Sequence, residues 1–521
     1  MSSSTAQATA TPLDAATVRR LTSGIAATGE PRTTTAPFTG TALATIPQST
    51  DSDVRSAFAR AREAQREWAN IPVRERVRPF LRLVDMMLSR QSEVLDLLQH
   101  ETGKARLHAF EEILDGAMST LYYARKAPQL LRGSRRAGAL PVFTRTIETP
   151  LSKGVVATIT PWNYPLALTM DVVPALLAGN AVVHKPDSQT ALSSLWPRAL
   201  LVEAGLPQEL WQVVLGEPGD IGNALIDEAD YVGFTGSTAA GKAIAERAAK
   251  RLTGCSLELG GKNPMLVLDD ADLAATAKTA VRACFANAGQ LCVSIERIYV
   301  DAAVHDEFVE LFAQQVRDLR LNSDLAFTAD VGSLTSERQL TRVTEHVEAA
   351  VEAGATVAAG GKARPDLGPY FFEPTVLTGV AEDTPVCREE TFGPVVSVYP
   401  FRSEDEAIEL ANDTPYGLNA SVFSRDERRA RRVAARIKAG TVNINEGYAA
   451  AYASQGASMG GMKESGLGRR HGPAGLLKYT EAQSVASQRV LGFDPAFGLS
   501  GQQHAKLFTA ALRVIKALRI R

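Results

Sequence analysis

Short apolar runs alternate with segments of helical spacing between residues 154 and 261. The runs are rich in β-branched residues and predict five strands, at residues 154–159, 180–184, 211–215, 231–234 and 255–259. The segments between them predict helices at residues 166–178, 191–204 and 239–252. Successive strands begin about 20–30 residues apart, which suits a right-handed βαβ crossover. The pattern therefore predicts an α/β fold with a doubly wound, Rossmann-like, mostly parallel sheet.

Segments on either side of this unit carry further patterns. Helical spacing over residues 51–99 predicts two or three helices. A second α/β stretch follows residue 261, with predicted helices at residues 273–288 and 336–353 and predicted strands at residues 297–300 and 395–399. Residues 145–149 and 482–489 look like strands that could pair as a small protruding sheet.

The residues that directly follow the five strands are nearly all glycine, polar or charged. They are residues 161–163, 185–186, 216–217, 235–237 and 260–261. In doubly wound sheets, ligands bind outside the carboxyl ends of the strands. We therefore expect these residues to lie along one edge of the sheet and to form a single site.

Composition narrows the class of protein. The chain has 521 residues, of which 45% are hydrophobic and 22% charged, as in soluble globular proteins of several structural units. The net charge of −2 gives no electrostatic reason to expect nucleic-acid binding. No apolar stretch reaches the length of a spanning helix, and the start of the chain lacks the basic and apolar regions of a secretory signal. Residues 1–33 are predicted to form a disordered tail.

The four cysteines, Cys255, Cys284, Cys292 and Cys387, form no CxxC pair and are too sparse for a disulfide framework. A reducing, cytoplasmic location is therefore expected. No cluster of His, Cys and Asp has the spacing of a metal site, so no metal is predicted.

A glycine-rich loop over residues 234–243 follows a predicted strand and opens a predicted helix. Backbone N–H groups in such a loop can hold a phosphate, although a plain tight turn has the same pattern. The spacing approaches that of a nucleoside-triphosphate P-loop, but Ala243 stands where the magnesium-binding hydroxyl is needed. A nucleotidase is therefore disfavoured.

Three residues could carry acyl chemistry. Cys292 follows a Gly-Gln turn that suits presentation of its sulfur rather than core packing. Glu258 lies in an apolar strand, where a carboxylate is either paired or tuned as a base. Asn163 adds an amide donor at the same sheet edge, so a nucleophile, a base and a neutral donor are expected together.

Five sequence blocks resemble the signatures of the aldehyde dehydrogenase superfamily, in that family's order and spacing. They are residues 161–165, 234–238, 257–264, 287–292 and 389–394. The resemblance spans about residues 35–490 and implies NAD(P)-dependent oxidation of an aldehyde to a carboxylate. It also implies that Cys292 attacks the aldehyde, that Asn163 and the Cys292 backbone N–H hold the oxyanion, and that Glu258 activates the water that hydrolyses the thioester. A CoA-acylating relative is disfavoured because such enzymes commonly lack this base.

The resemblance also implies a set of cofactor-binding residues. These are Trp162, Lys185, Ser188, Gly236, Ser237, Leu259, Glu390 and Phe392. Members that prefer NAD often carry Glu three residues after the lysine, where this chain has Ser188. A hydroxyl beside Lys185 leaves room for a 2′-phosphate, whereas a Glu would repel that group. NADP is therefore expected, with NAD possible. Asp187 is an unfavourable neighbour unless it points away.

The sequence around Cys292 is similar to a bacterial succinate-semialdehyde dehydrogenase subgroup, which implies that substrate. The positions at which better-known enzymes of this specificity carry carboxylate-gripping arginines hold Asp171 and Ala286 here. An unpaired Asp171 would repel a dianionic product, so either another cation serves or the substrate differs. The predicted pocket contains Tyr164, Leu168, Asp171, Leu291, Val293 and Met459. Its apolar members suit, alternatively, a broad-range enzyme for medium-chain or aromatic aldehydes.

We assign predicted domains from these patterns. They are a tail (1–33), a dinucleotide-binding domain (34–127 and 150–258), a catalytic domain (259–473), an oligomerisation sheet (128–149 and 474–492) and a C-terminal extension (493–521). Homodimers or homotetramers are expected by resemblance. The extension has an apolar helical face of Leu507, Ala511, Ile515 and Leu518 and five positive charges, at Lys506, Arg513, Lys516, Arg519 and Arg521. It fits a peripheral membrane helix, a subunit-docking helix or an appendage packed on its own protein.

Overall fold

The computed structural model describes residues 13–139, 143–489 and 492–519. Residues 1–12 of the predicted tail lie outside these ranges, but the rest of that prediction is wrong. Helix α1 (Ala15–Thr22) is followed by an antiparallel hairpin of β1 (Gly29–Thr35) and β2 (Ala42–Gln48). Leu21 is buried in the core, so this segment is held by packing and strand pairing that a Ser/Thr-rich composition does not reveal.

Four helices follow the hairpin: α2 (Asp51–Asn70), α3 (Val73–Ser89), α4 (Gln91–Thr102) and α5 (Arg106–Leu130). The first three confirm the helical spacing over residues 51–99. Helix α2 begins at a capping box, in which the Thr50 side chain accepts from the Asp53 backbone and the Asp53 carboxylate from the Thr50 backbone. Strands β3 (Ser134–Arg136) and β4 (Thr144–Ser152) come next.

The doubly wound unit contains all five predicted strands. Its elements are β5 (Val155–Ile159), α6 (Pro165–Thr169), α7 (Val172–Leu177), β6 (Ala181–Lys185), α8 (Ala191–Glu203), β7 (Trp211–Val213), α9 (Pro218–Glu228), β8 (Tyr231–Thr235), α10 (Thr238–Ala249) and β9 (Gly254–Glu258). These strands pair in parallel, which confirms the fold class. The single helix predicted at residues 166–178 is instead two short helices that part at Met170 and Asp171.

A second sheet with its own core follows. Its part of the chain contains β10 (Asn263–Val267), α11 (Leu273–Phe285), β11 (Ile295–Asp301), α12 (His305–Arg317), α13 (Glu337–Glu352), β12 (Thr356–Ala359), β13 (Thr375–Thr378), α14 (Pro385–Arg388), β14 (Val395–Phe401), α15 (Glu404–Asn412), β15 (Asn419–Phe423), α16 (Glu427–Ala434), β16 (Thr441–Ile444) and α17 (Ala449–Tyr452). The strand order is β12-β13-β14-β11-β10-β15-β16, parallel except for the β12–β13 pair. Short 3₁₀ turns occur at Ser188–Thr190, Gln208–Leu210, Ala286–Gly289 and Lys463–Ser465.

The last elements tie the units together. They are β17 (Gly466–Leu467), α18 (Gly472–Leu477), β18 (Thr480–Gln488) and α19 (Gly501–Ala517). Strand β17 returns to the first sheet and pairs antiparallel with β9, giving the order β17-β9-β8-β5-β6-β7. Strand β18 pairs antiparallel with β4 along its whole length, so the predicted small sheet exists, with the order β18-β4-β3.

Two features of the helices bear on the protein's surroundings. Across the described residues, no helix combines the length and apolarity that a bilayer crossing requires. Helix α19 buries none of its side chains. The predicted domain boundaries remain a prediction.

Substitution of Gly440 tests how tightly the second sheet packs beside the loop that returns to the first. A methyl group at Gly440 would overlap the backbone carbonyl oxygen of Gly460. We expect Gly440→Ala to lower the free energy of unfolding by about 1–3 kcal/mol, because backbone rather than a flexible side chain must move. Gly219→Ala is the control, since a methyl group there meets nothing within 4 Å. Chemical denaturation measures both, and equal stability of the two variants would contradict the packing.

Candidate active site

A cleft of about 770 Å³ opens beyond the carboxyl ends of β5, β8 and β9 and faces the second sheet. Its lining includes residues of both units. They are Pro161, Trp162, Asn163, Leu168, Thr235, Gly236, Ser237, Glu258, Leu259, Gly260, Cys292, Arg338, Gln339, Arg342, Glu390 and Phe392. The structure thus brings the three candidate catalytic residues and six of the eight candidate cofactor residues into one cleft.

The loop that carries Cys292 has an unusual backbone. The φ angles of Asn287, Ala288 and Gly289 are 51°, 54° and 71°. This is the left-handed conformation, which residues other than glycine rarely adopt. The turn is held because the Asn287 backbone N–H donates to His108 Nδ1 at 3.2 Å and its side-chain amide donates to the Gln290 carbonyl at 3.1 Å. A methyl group on Gly289 would overlap the carbonyl of Gly393. The Cys292 loop is therefore fixed against the segment that carries Glu390 and Phe392.

The thiol of Cys292 lies in an environment that disfavours its ionisation. Burial raises the pKa of Cys292 to about 12, with further upward contributions from Glu390 and Glu258, while Arg470 acts in the opposite direction. In the protein without ligand, the sulfur is therefore a neutral thiol at pH 7.

Asn163 lies beside the Cys292 loop. Its amide nitrogen donates to the Gln290 carbonyl at 3.1 Å, and its amide oxygen is buried without a protein partner among the described residues. Its own backbone carbonyl accepts from the Lys104 ammonium at 2.7 Å, and Lys104 forms a buried ion pair with Glu112. These contacts hold the Asn163 turn from behind.

Glu258 ends strand β9 and is 8% exposed. Burial raises its pKa to about 7, although Lys478 and Arg470 lower it. One of its carboxylate oxygens, Oε1, is buried without a partner in the part of the chain that the structure describes. A carboxylate that lines a cleft and has a pKa of about 7 can act as a general base.

Glu390 and Phe392 lie on a loop that is tied to both sheets. The Glu390 carboxylate accepts from the Gly261 backbone N–H at 2.9 Å, and burial raises its pKa to about 7. The backbone N–H of Phe392 donates to Glu296 at 2.9 Å, and Glu296 pairs with buried Lys262 at 2.6 Å. The Phe392 ring contacts Trp162 edge to face, with 5.6 Å between centroids.

Lys185 and Ser188 lie outside the residues that line this cleft. Lys185 ends strand β6, and both side chains are buried at 6% exposure. The Ser188 hydroxyl donates to the Gln48 side-chain oxygen at 3.3 Å. Asp187 accepts from the backbone N–H of Gln189 at 2.9 Å, so its carboxylate is engaged in capping the local turn.

A second cleft of about 640 Å³ lies on the other side of the Cys292 loop. It is lined by Glu111, Leu114, Asp115, Met118, Tyr164, Ala167, Arg282, Leu291, Tyr448, Ala449, Tyr452 and Ala453. Tyr164 and Leu291 belong to the predicted substrate pocket, and both pack in the apolar cluster that contacts Cys292. Leu168 lines the first cleft instead, whereas Val293 and Met459 are buried in the apolar cluster and line neither cleft.

Asp171, which was predicted to belong to the substrate pocket, has an ion-pair partner. Its carboxylate pairs with Arg470 at 2.9 Å, and neither cleft is lined by it. The Arg470 side chain is 4% exposed, so the pair is part of the framework behind the site. Arg470 follows the Gly-rich segment near the end of the second unit, and no local pattern marked it as the partner.

Both clefts also contain residues that no sequence pattern indicated. Arg338, Gln339 and Arg342 reach the first cleft from helix α13, whose sequence looks like an ordinary polar helix face. Arg282 reaches the second cleft from α11. Its guanidinium donates to Glu111 at 2.9 Å and lies 5.5 Å from the centre of the Tyr448 ring. The sequence places this arginine ten positions before Cys292, but only the fold brings it to the pocket.

Comparison with known proteins agrees with this geometry. The model of the aldehyde dehydrogenase family matches residues 25–485. A protein of Mycolicibacterium smegmatis named "Putative succinate-semialdehyde dehydrogenase [NADP(+)]" is 54% identical over 482 residues, which are 92% of this chain and 93% of that protein. The 3-sulfolactaldehyde dehydrogenase of Pseudomonas putida is 38% identical over 88% of this chain and 93% of its own. A crystal structure of an NADP-dependent enzyme of E. coli superposes with a TM-score of 0.85 at 35% identity, covering 88% of this chain and 95% of that one.

Removal of the Asp171 carboxylate tests its structural role. Asp171→Ala leaves the Arg470 guanidinium buried without its ion-pair partner, and we expect the free energy of unfolding to fall by about 3–5 kcal/mol. Asp405→Ala is the matched control, because its pair with Arg436 is exposed, at 75% and 54%, and should contribute less than about 1 kcal/mol. Urea denaturation distinguishes the two, and an Asp171→Ala protein as stable as the control would contradict the role.

Proposed function

Because the chain belongs to the aldehyde dehydrogenase family, we propose that it oxidises an aldehyde to a carboxylate through a thioester on Cys292. The observation that carries the proposal is that Cys292, Glu258 and Asn163 line one cleft. A nucleophile, a base with a pKa of about 7 and an amide next to the nucleophile's loop are the groups that this chemistry needs.

Each residue has a defined role in the proposed reaction. The Cys292 sulfur loses its proton to solvent water and attacks the carbonyl carbon, and the resulting oxyanion accepts hydrogen bonds from Asn163 and the Cys292 backbone N–H. A nicotinamide cofactor held by Gly236, Ser237 and Glu390 would supply the hydride acceptor, and loss of hydride from that carbon leaves a thioester on the sulfur. Glu258 then removes a proton from water, the hydroxide attacks the thioester, and the carbon–sulfur bond breaks to release the acid.

The first cleft fits a dinucleotide. Its floor is formed by Gly236 and Ser237 at the start of helix α10, where backbone N–H groups and the helix dipole favour a pyrophosphate. We propose that Trp162, Leu259 and Phe392 flank the cofactor and that the Glu390 carboxylate accepts a hydrogen bond from a ribose hydroxyl. Arg338 and Arg342 add positive charge to the same wall.

We propose NADP as the preferred cofactor, with NAD possible. Ser188 and Lys185 provide a hydroxyl and an ammonium, and one oxygen of the Asp187 carboxylate is engaged in capping the local turn. Burial lowers the pKa of Lys185, Asp187 raises it and Arg32 lowers it, so a carboxylate and a second positive charge both lie near this lysine. The M. smegmatis relative bears NADP in its name.

We propose succinate semialdehyde as the substrate, as in the name of the M. smegmatis relative. Arg282 supports this proposal because it brings a guanidinium into the second cleft, where neither Asp171 nor Ala286 provides one. Its side chain is 50% exposed, so donors remain for a distal carboxylate beside Glu111. The name of the P. putida relative also specifies an aldehyde with an anionic group.

A second candidate is a broad-range enzyme for medium-chain or aromatic aldehydes. Leu114, Met118, Tyr448 and Tyr452 give the second cleft a largely apolar and aromatic wall. Glu111 and Asp115 on the same wall disfavour an anionic substrate. The choice between the candidates therefore depends on Arg282.

We also propose a cytoplasmic homodimer or homotetramer. Strand β18 is an edge of the three-stranded sheet among the described residues, and the backbone groups on its outer side can pair with another copy. All four cysteines are free thiols in the structure, in keeping with a reducing compartment.

The pH dependence of turnover tests the role of Glu258. Because its pKa is raised to about 7 and the base must be ionised, we expect thioester hydrolysis to rise with pH through about 7. Glu258→Gln should lose this dependence and lower steady-state turnover by about 10²–10⁴-fold, while a first turnover of NADPH formation persists. Stopped-flow and steady-state assays separate the two phases. A Glu258→Gln enzyme with normal turnover would contradict the assignment.

Substitution of Ser188 tests cofactor choice. Ser188→Glu places a carboxylate where the 2′-phosphate is expected, so the ratio of kcat/KM for NADP to that for NAD should fall by about tenfold or more. Ser188→Ala is the control, since it removes the hydroxyl without adding charge. An unchanged ratio in Ser188→Glu would place the 2′-phosphate elsewhere.

Substitution of Arg282 distinguishes the two substrate candidates. Arg282→Met should lower kcat/KM for succinate semialdehyde by about 10–100-fold, because a charge-assisted hydrogen bond is removed, and leave hexanal oxidation nearly unchanged. Arg282→Lys keeps the charge and should recover part of the activity. An equal effect on both aldehydes would favour the broad-range candidate.

A further inference from the structure

Helix α19 is an amphipathic helix that buries no side chain against the rest of the described chain. Its Ser500 side chain and Gln503 form a capping box at its start, so the helix has a defined beginning. None of its residues is buried, and Leu507, Val514 and Leu518 are 56%, 54% and 63% exposed. Soluble monomers rarely leave such a continuous apolar stripe uncovered, so the stripe marks an interaction surface.

Apolar and cationic residues occupy different sides of the helix. At 100° per residue, Leu507, Ala511, Val514 and Leu518 follow one another on one side at spacings of four, three and four. Phe508, Leu512 and Ile515 widen this face. The opposite side carries Gln502, Lys506, Thr509, Arg513 and Lys516. The helix therefore has a broad apolar face and a separate polar face.

The charge of this segment has one sign. Asp494 is the last acidic residue of the chain, and Lys506, Arg513, Lys516, Arg519 and Arg521 follow it. The whole chain, by contrast, has a net charge of −2. An interfacial helix carries Lys and Arg that attract anionic headgroups, and α19 has no acidic residue to oppose this attraction.

We propose that α19 is a membrane-surface helix that docks the protein on anionic lipid. The apolar face would enter the boundary between headgroups and acyl chains, with the helix axis in the plane of the surface. Exposed Phe493 and Phe497 precede the helix, and the Phe493 ring packs on Phe508 at 6.1 Å between centroids, so they extend the apolar face. The interaction is peripheral and does not depend on the proposed substrate.

Vesicle binding tests the proposal on the full-length protein with NADP present. We expect it to float with vesicles of phosphatidylcholine and phosphatidylglycerol but not with phosphatidylcholine alone, and to dissociate as salt increases. K506E/R513E/K516E should weaken binding about a hundredfold, because three cations that attract anionic headgroups become anions that repel them. L507S/V514S/L518S should weaken it as well, because the apolar face is required.

A matched control uses exposed cations elsewhere. K250E/R428E/R432E makes the same change in net charge on residues without ion pairs among the described residues, and it should bind vesicles as the unmodified protein does. Aldehyde oxidation and solution mass should be the same in all variants, which shows that they fold and assemble.

Several outcomes would overturn the proposal. They are no binding to anionic vesicles, equal binding to neutral vesicles, or equally weakened binding in the control and tail variants. A change in oligomeric mass in the tail variants, with vesicle binding retained, would instead assign α19 to an interface with a second copy of the chain.

Discussion

The left-handed turn at residues 287–289 is the constraint on which the site depends. Three consecutive positive φ angles turn the chain after α11 so that Cys292 faces the cleft, and the absence of a side chain at Gly289 lets this turn lie against Gly393. The same packing fixes the loop of Glu390 and Phe392. The Cys292 loop and the loop of Glu390 and Phe392 are therefore positioned by one backbone contact, and neither can move without the other.

The charges around the cleft determine the protonation of the residues that line it. Burial raises the pKa of Glu258, Glu390 and Cys292, while Arg470 and Lys478 act against it at Glu258. The Asp171–Arg470 pair behind the site limits how much positive charge reaches these groups. Because the pKa of Glu258 is about 7, its carboxylate can both take a proton from water and give it up near neutral pH.

Much of this architecture could be predicted from the sequence. Five parallel strands are visible because buried strands are continuous apolar runs. The residues after β5, β8 and β9 line one cleft, as expected, whereas those after β6 and β7 are not among its lining residues. The catalytic candidates Cys292, Glu258 and Asn163 stand out because each residue type is unusual in its local pattern.

The pairing of Asp171 could not be predicted, since its partner Arg470 is 299 residues away in the chain. Arg282 was missed for the same reason, because its helix is ordinary in sequence and its role depends on what the fold places opposite it. The folded segment at Ala15–Thr22 was also missed, because the surface that buries Leu21 is not visible locally.

In the proposed reaction the substrate becomes covalently attached to the Cys292 sulfur, and Glu258 releases it. Mass spectrometry of the Glu258→Gln protein, quenched in acid after mixing with succinate semialdehyde and NADP, tests this most directly. We expect an acyl adduct on the peptide that contains Cys292, and no adduct when Cys292 is also replaced by Ser. An adduct on another residue, or NADPH formation at full rate without Cys292, would contradict the claim.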